Sequence, residues 1–220
     1  MPAHYDVMVI DYGMGNLFNL QKVLNHLGVN AIVSSDPAMV RAADRLILPG
    51  VGAFEDGIRH LKQSAIAESL ADFVRTGKPV LGICLGMQLL MQESDEGGCH
   101  QGLSLIKGRV ERFQDPLPQG PAYKIPHIGW NSLQYPDGGT GWAKTILART
   151  RPGEYLYFVH SYTVCPVNPG IVLARAQYGR QNFCAALGWE NIYGCQFHPE
   201  ISGPVGLDIL RCFLTMNRSL

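Results

Sequence analysis

The chain has no surplus of charge of either sign: lysine plus arginine and aspartate plus glutamate number 18 each among 220 residues. Such a balance gives no overall field to draw the protein to nucleic acid or to an anionic membrane, so partners have to be recognised locally. No apolar run approaches the ~20 residues that a membrane span needs. The opening "MPAHYDVMVIDYG" has no basic leader and only a short apolar stretch, which argues against a secretory signal and for a cytoplasmic protein. Six cysteines, Cys84, Cys99, Cys165, Cys184, Cys195 and Cys212, form no CxxC pair and no regular spacing. Neither a disulfide framework nor a zinc site is therefore expected, and no metal or cofactor is implied. "GMGNLF" (13–18) lacks the third glycine of a dinucleotide loop, and there is no P-loop.

What is present is an ordered globule's composition, 46% apolar and 16% charged, with no linker or repeat, and one domain over 1–220 is the simplest organisation. The first half alternates two periods. "VMVIDY" (7–12), "NAIVSS" (30–35), "DRLILPG" (44–50) and "KPVLGIC" (78–84) are short, apolar and β-branched, as strands covered on both faces should be. Between them, Leu17, Leu20, Val23, Leu24 and Leu27 make a helical stripe with Asn16 as its cap and Gly28 as its stop. A second helix is expected over 55–75, ending at Gly77. Strand, helix, strand in succession predicts an α/β fold with a doubly wound, mainly parallel, flavodoxin-like sheet. The second half, from "LSLIKGRVERF" through "HIGWNSLQY", "YLYFVHSYTV", "IVLARAQYG" and "NFCAALGWENIYGCQF", reads as antiparallel additions to that same sheet, with a last helix near 205–216. "DPLPQGP" (115–121) and "YPDGGTG" (135–141) read as surface loops.

Chemistry concentrates at "KPVLGICLGMQLL" (78–90), where Cys84 stands between Gly82 and Gly86 at the end of an apolar run. A strand that turns at once into a helix collides with itself unless the flanking side chains are small, so this is the thiol counterpart of a nucleophile elbow. The helix that follows directs its first amides and its positive dipole end at the sulfur, and the amide of Leu85 becomes available to an oxyanion. A buried cysteine in a glycine-rich turn would carry the same local pattern. In "GCQFHPE" (194–200), an extended chain would put His198 and Glu200 on one side, an imidazole with a carboxylate to orient it; a surface polar pair is the alternative. "LPGVGAF" (48–54) could turn the amides of its Gly50-Val51-Gly52 loop towards a ligand, or simply form a tight strand-to-helix turn.

Taken together, "LPGVGAF", "GICLGMQLL" and "QFHPE", in that order, resemble the class I (triad) glutamine amidotransferases. "DYGMGNL" (11–17), "KIPHIGWN" (124–131) and "YFVHSY" (157–162) narrow the resemblance to the glutaminase subunits of imidazole glycerol phosphate synthase, of histidine biosynthesis, over nearly the whole chain. The resemblance implies that Cys84 attacks glutamine, with His198 as acid and base and Glu200 behind it. It also implies an oxyanion site at Gly50, Val51, Gly52 and Leu85, and a glutamine site at Gln88, Glu96, His160, Ser161 and Tyr162. On the same resemblance, ammonia would then pass to a (β/α)₈ cyclase in a heterodimer, contacted by Asn16, Asn19, Trp130, Tyr157 and Ile201. The usual "FHPEKS" reads "FHPEIS" here, Ile201 standing in place of a lysine that faces the partner. Relatives that feed other synthases, among them builders of amidino groups on surface sugars, are the alternative. A thiol hydrolase would share the elbow but not Gln88, "YFVHSY" or "KIPHIGWN".

Overall fold

The computed structural model describes residues 5–114, 123–139 and 141–216; the expected 115–121 loop lies outside the described residues. In the first half, β1 (Val7–Ile10), β2 (Ala31–Ser34), β3 (Leu46–Leu48) and β4 (Val80–Ile83) are parallel neighbours in the order 4-3-1-2. The helices between them are α1 (Leu17–His26), α2 (Pro37–Ala42), α3 (Phe54–Gln63) and α4 (Ile66–Arg75), and α5 (Leu85–Leu89) follows β4. Period-two alternation sends Met8, Ile10, Leu46 and Leu48 to one side of the sheet, where Phe54, Leu61, Leu70 and Phe73 of α3 and α4 cover them. Val7, Val9, Ile47 and Leu81 face the other side, against Leu20 and Leu24 of α1. Each such side chain removed from water contributes roughly 1.5–3 kcal/mol. Asn16 caps α1 by accepting from the Asn19 amide at 3.3 Å, and Gly28, at φ +71°, ends it.

Two expectations need correction here. The 55–75 segment is two helices, because Ala65 takes a left-handed φ of 56° after Ser64 Oγ has bonded back to the His60 and Leu61 carbonyls. The "NAIVSS" strand lies at the edge of the sheet and is only half-buried.

The second half departs further from the sequence reading. Its strands are β5 (Met91–Ser94), β6 (His100–Gln101), β7 (Ile106–Arg112), β8 (His127–Ser132), β9 (Tyr155–His160), β10 (Tyr162–Pro166), β11 (Val172–Tyr178), β12 (Gln181–Trp189) and β13 (Ile192–Cys195), with α6 (Gly203–Thr215) last. Only three extend the central sheet, in the order β11-β12-β13-β4, and β13 is parallel to β4. The others form a four-stranded sheet, β10-β7-β5-β6, and a two-stranded ribbon, β8-β9. The reason is amphipathicity. In β7, Ile106, Gly108 and Val110 are buried while Lys107 and Arg109 are exposed, a one-sided pattern that cannot enter a sheet covered on both faces. "YLYFVHSYTV" therefore splits at Ser161 between ribbon and second sheet, and "NFCAALGWENIYGCQF" is a hairpin turning at Glu190, φ 53°. α6 covers the sheet on the α1 side with Ile209, Leu210 and Phe213.

The tightest backbone approach in the central sheet lies between the first turn of α5 and the end of β3. A Cβ on Gly86 would overlap the Leu48 carbonyl, and one on Gly82 would sit 2.8 Å from the Met87 backbone. Gly86→Ala should therefore cost about 3 kcal/mol or more. Gly28→Ala, with nothing within 4 Å but a positive φ, should cost about 1 kcal/mol. Denaturant midpoints of the two variants check the difference; equal losses would contradict the steric account.

Candidate active site

β4 ends in the middle of the sheet, and Cys84 follows it with φ 53° and ψ −111°, a conformation that costs a non-glycine residue ~1–3 kcal/mol. Two backbone bonds hold it there: the Cys84 amide donates to the Cys195 carbonyl at 2.8 Å, and the Gln88 amide donates to the Cys84 carbonyl at 3.2 Å. Because Cys195 pairs in register with Ile83, β13 leaves the sheet at the same carboxyl edge, and His198 comes out beside Cys84. The His198 amide donates to the Tyr157 carbonyl at 2.9 Å, and the Ser202 hydroxyl donates to the His198 carbonyl at 2.6 Å. Glu200 reaches His198 from a 3₁₀ turn, Pro199–Ile201, rather than from the extended chain that the sequence suggested, because Pro199 starts a turn there. The outcome is the same pair: Nδ1 of His198 lies 2.7 Å from Glu200 Oε1, both side chains buried.

That bond fixes the tautomer and leaves Nε2 to exchange protons. Nε2 makes no hydrogen bond of ordinary length, yet the Cys84 sulfur is near enough to act on its titration. Burial alone would push the imidazole down; Cys84 and Glu200 outweigh it and raise its pKa to about 10. The sulfur thus faces a ring that readily carries a proton. Of the other interior thiols, burial pushes Cys184 up to about 12 and Cys195 well above the usual range.

Cys84 opens into a cavity of about 290 Å³. Val51, Gly52, Leu85, Gln88, Glu96, His160, Ser161 and Tyr162, the residues expected at an oxyanion site and a glutamine site, all line it; Gly50 does not. Gly50 sits beneath, where a Cβ would lie 2.6 Å from the Tyr12 hydroxyl and 2.7 Å from the Gly86 amide. Tyr12 donates to the Pro49 carbonyl at 2.8 Å and so anchors the loop. Glu96 accepts from the Phe54 amide at 2.9 Å, and burial raises its pKa.

The expected docking residues gather outside this cavity. Trp130 stands opposite Tyr157 across the ribbon, and Ile128 opposite Val159, on one outward face. Trp130 is 55% and Ile128 58% exposed, and Ile201 is also exposed; Asn16, Asn19 and Tyr157 are half-buried. Sequence reasoning missed Gln196, whose side-chain amide lies 3.6 Å from Cys84 Sγ, and Pro126 and Val159, which line the cavity, as well as Tyr12 and His127 behind it, bonded to the Pro49 carbonyl and to His160. The alternation that places His198 at the strand end also selects Gln196, two residues before it.

The chain matches the family described as glutamine amidotransferase class-I over residues 8–216. It belongs to that family. This amidotransferase is 45% identical over 208 residues to imidazole glycerol phosphate synthase subunit HisH 1 of Legionella pneumophila, covering 94% of this chain and 98% of that one. It is 48% identical, with the same coverage, to the HisH subunit of Syntrophotalea carbinolica. Among solved structures, a glutamine amidotransferase aligns with a TM-score of 0.71 at 18% identity, covering 95% of this chain and 97% of that one. A glutamine amidotransferase from Thermotoga maritima aligns with a TM-score of 0.59 at 15% identity, covering 96% and 83%. At those identities these likenesses support the α/β fold alone. Among the described residues, no helix of the amidotransferase is long and apolar enough to cross a membrane.

The site also holds two imidazoles in the opposite state to His198. Burial lowers His127 to about 4 and His160 to about 3. An unfolded chain takes up protons on both near pH 6.5 while the folded chain refuses them, so these groups add stability above about pH 6.5 that is lost as the pH falls towards 4. Unfolding free energies measured across that interval should climb with pH less steeply in His127→Asn than in the parent; an unchanged slope would contradict the assignment.

Proposed function

We propose that this amidotransferase is the glutaminase subunit of imidazole glycerol phosphate synthase in L-histidine biosynthesis, one domain that hydrolyses L-glutamine and passes ammonia to a cyclase partner in the cytoplasm. The observation that carries the reading is the pairing of Cys84 and His198–Glu200 at one sheet edge, beside a cavity lined by the expected glutamine-site residues. Relatives at 41–48% identity that bear this subunit's name support it.

In this reading the Cys84 thiolate attacks the side-chain amide carbon of glutamine, and the negative charge that develops on oxygen is met by the amides of Leu85 and of the Gly50–Gly52 loop. One such donor is worth about 10²–10³ in rate. His198 gives its proton to the departing nitrogen; the C–N bond breaks, ammonia leaves, and a glutamyl thioester remains. His198, now neutral, takes a proton from water, whose oxygen attacks the thioester; glutamate departs and the thiolate is restored. Glu200 steadies the imidazolium at each stage.

Ammonia set free in water at neutral pH is mostly protonated and no longer a nucleophile, so a glutaminase gains by delivering it under cover. The outward face of the ribbon, with Ile128, Trp130 and Val159 exposed, provides an apolar surface for the (β/α)₈ cyclase that would consume it. Ile201 supplies an apolar contact there in place of a lysine, the feature that favours the second reading, a paralogue feeding a different synthase.

Cys84→Ala should abolish glutamate release from glutamine, and Glu200→Gln should lose less activity than His198→Asn. Glutamate assays on the purified variants read this, and undiminished turnover in Cys84→Ala would refute the nucleophile. Mixing the chain with a histidine-pathway cyclase should raise turnover tenfold or more; equal turnover alone and mixed would favour the second reading.

A further inference from the structure

A buried polar chain runs from the ribbon to the nucleophile, and its directions can be worked out atom by atom. The carbonyl of Tyr162 can only accept. It takes one bond from Nδ1 of His160 at 2.8 Å and one from Nε2 of Gln88 at 3.0 Å. His160 therefore carries its proton on Nδ1 and accepts at Nε2, so His127, 3.2 Å away, donates from its own Nδ1. Nε2 of His127 is then an acceptor. The far end gives the same answer independently: Asn131 is oriented by donating to the Gln177 carbonyl at 2.8 Å and accepting from the Ser132 amide at 2.8 Å, which turns its NH₂ towards His127 Nε2 at 3.5 Å.

The other arm is fixed in the same way. With its NH₂ placed by the Tyr162 carbonyl, Gln88 donates its second N–H to Gln196 Oε1 at 3.1 Å. Gln196 must then present its own NH₂ on the opposite side, and there Nε2 lies 3.6 Å from Cys84 Sγ. The side chain is fully buried. An amide placed there only to fill space would be a costly choice, since each unpaired polar atom in such a site costs ~1–3 kcal/mol. Here both ends are paired, one of them to the reacting atom.

We propose that Gln196 is a catalytic residue whose side-chain N–H holds the Cys84 thiolate, and that Gln88, His160 and His127 are positioning residues that impose its orientation. A hydrogen bond to an anion is about twice as strong as one between neutral groups, so the amide favours the thiolate over the thiol. It also steadies the sulfur at the end of the second half of the reaction, when the thiolate leaves the thioester. Gln88 thereby has a task besides any contact with substrate: both of its N–H groups are used within the protein. The inference rests on Cys84 being the nucleophile.

The test reads the sulfur rather than turnover. The full chain is treated with iodoacetamide over a range of pH, and modification of Cys84 is followed by peptide mapping. The ionisable groups coupled to this sulfur, His198 beyond β13, Cys195 on β13 and Tyr12 after β1, and the Glu200 that pairs with His198, are the same in every variant used. Gln196→Leu should move the Cys84 profile to higher pH by about one unit, the midpoint of the pH–rate curve being the quantity read. Gln196→Glu, close in shape, should move it further because a carboxylate then faces the sulfur. His160→Leu should give a smaller shift in the same direction, and His160→Asn, which keeps a donor for the Tyr162 carbonyl, should restore the parent profile. A folded Gln196→Leu with the parent profile overturns the proposal, and if that variant does not fold, a parent profile in Gln196→Glu does so. Because labelling needs no glutamine hydrolysis, this failure is separable from failure of the glutaminase reading, which glutamate release by Cys84→Ala decides.

Discussion

The contact on which the rest of the molecule depends is the one between the start of α5 and the end of β3. For the chain to leave β4, turn at Cys84 and enter a helix at once, the backbone of Gly86 has to lie against the Leu48 carbonyl with no side chain between them. That approach holds Cys84 in its uncommon φ and presents the sulfur at the sheet edge. It also brings the Gly50 loop under the first amides of α5, which is why Gly50 has room for nothing larger than hydrogen. The elbow and the loop at Gly50 are therefore one constraint seen from two strands, and the strain at position 84 persists because the packing on both sides determines it.

Electrostatics around the sulfur divides the histidines into two kinds. His198 has a carboxylate on one nitrogen and a thiol near the other, and its affinity for a proton is raised. His127 and His160 are buried among rings, His127 stacked on Tyr178 at 3.9 Å and Phe113 5.0 Å from His160, and stay neutral. The same side chain thus holds a proton readily in one place and stays a neutral hydrogen-bonding group in another. What separates the two roles is whether an anion is within reach to repay desolvation.

Much of this was legible in the sequence where the signal is local or periodic. The parallel half of the sheet, the cap at Asn16, the stop at Gly28 and the elbow glycines follow from spacing and steric need. Leu85 and the Gly50–Gly52 loop were suggested by local pattern, but Gln88, Glu96, His160, Ser161 and Tyr162 were reached only through resemblance, because no local pattern encodes which strands bring them together. The split of the second half into a sheet and a ribbon was misread, although the alternation of "IKGRVER" carried the information; a strand polar on every second residue does not belong in a sheet covered on both sides. The Glu200 pairing was expected from strand alternation and arrives through a 3₁₀ turn instead. Gln196 was passed over since an amide within an apolar stretch, next to a histidine, draws no attention until its partners are known.

The account's central claim is that one thiol alone, at position 84, meets the substrate carbonyl. A chloroketone built on the glutamine skeleton, allowed to react with the full chain and followed by peptide mapping, tests this directly. The account predicts a single adduct, on Cys84, whose formation glutamine slows. An adduct on exposed Cys99 or half-buried Cys165 in its place, or labelling of Cys84 that glutamine does not affect, would contradict it.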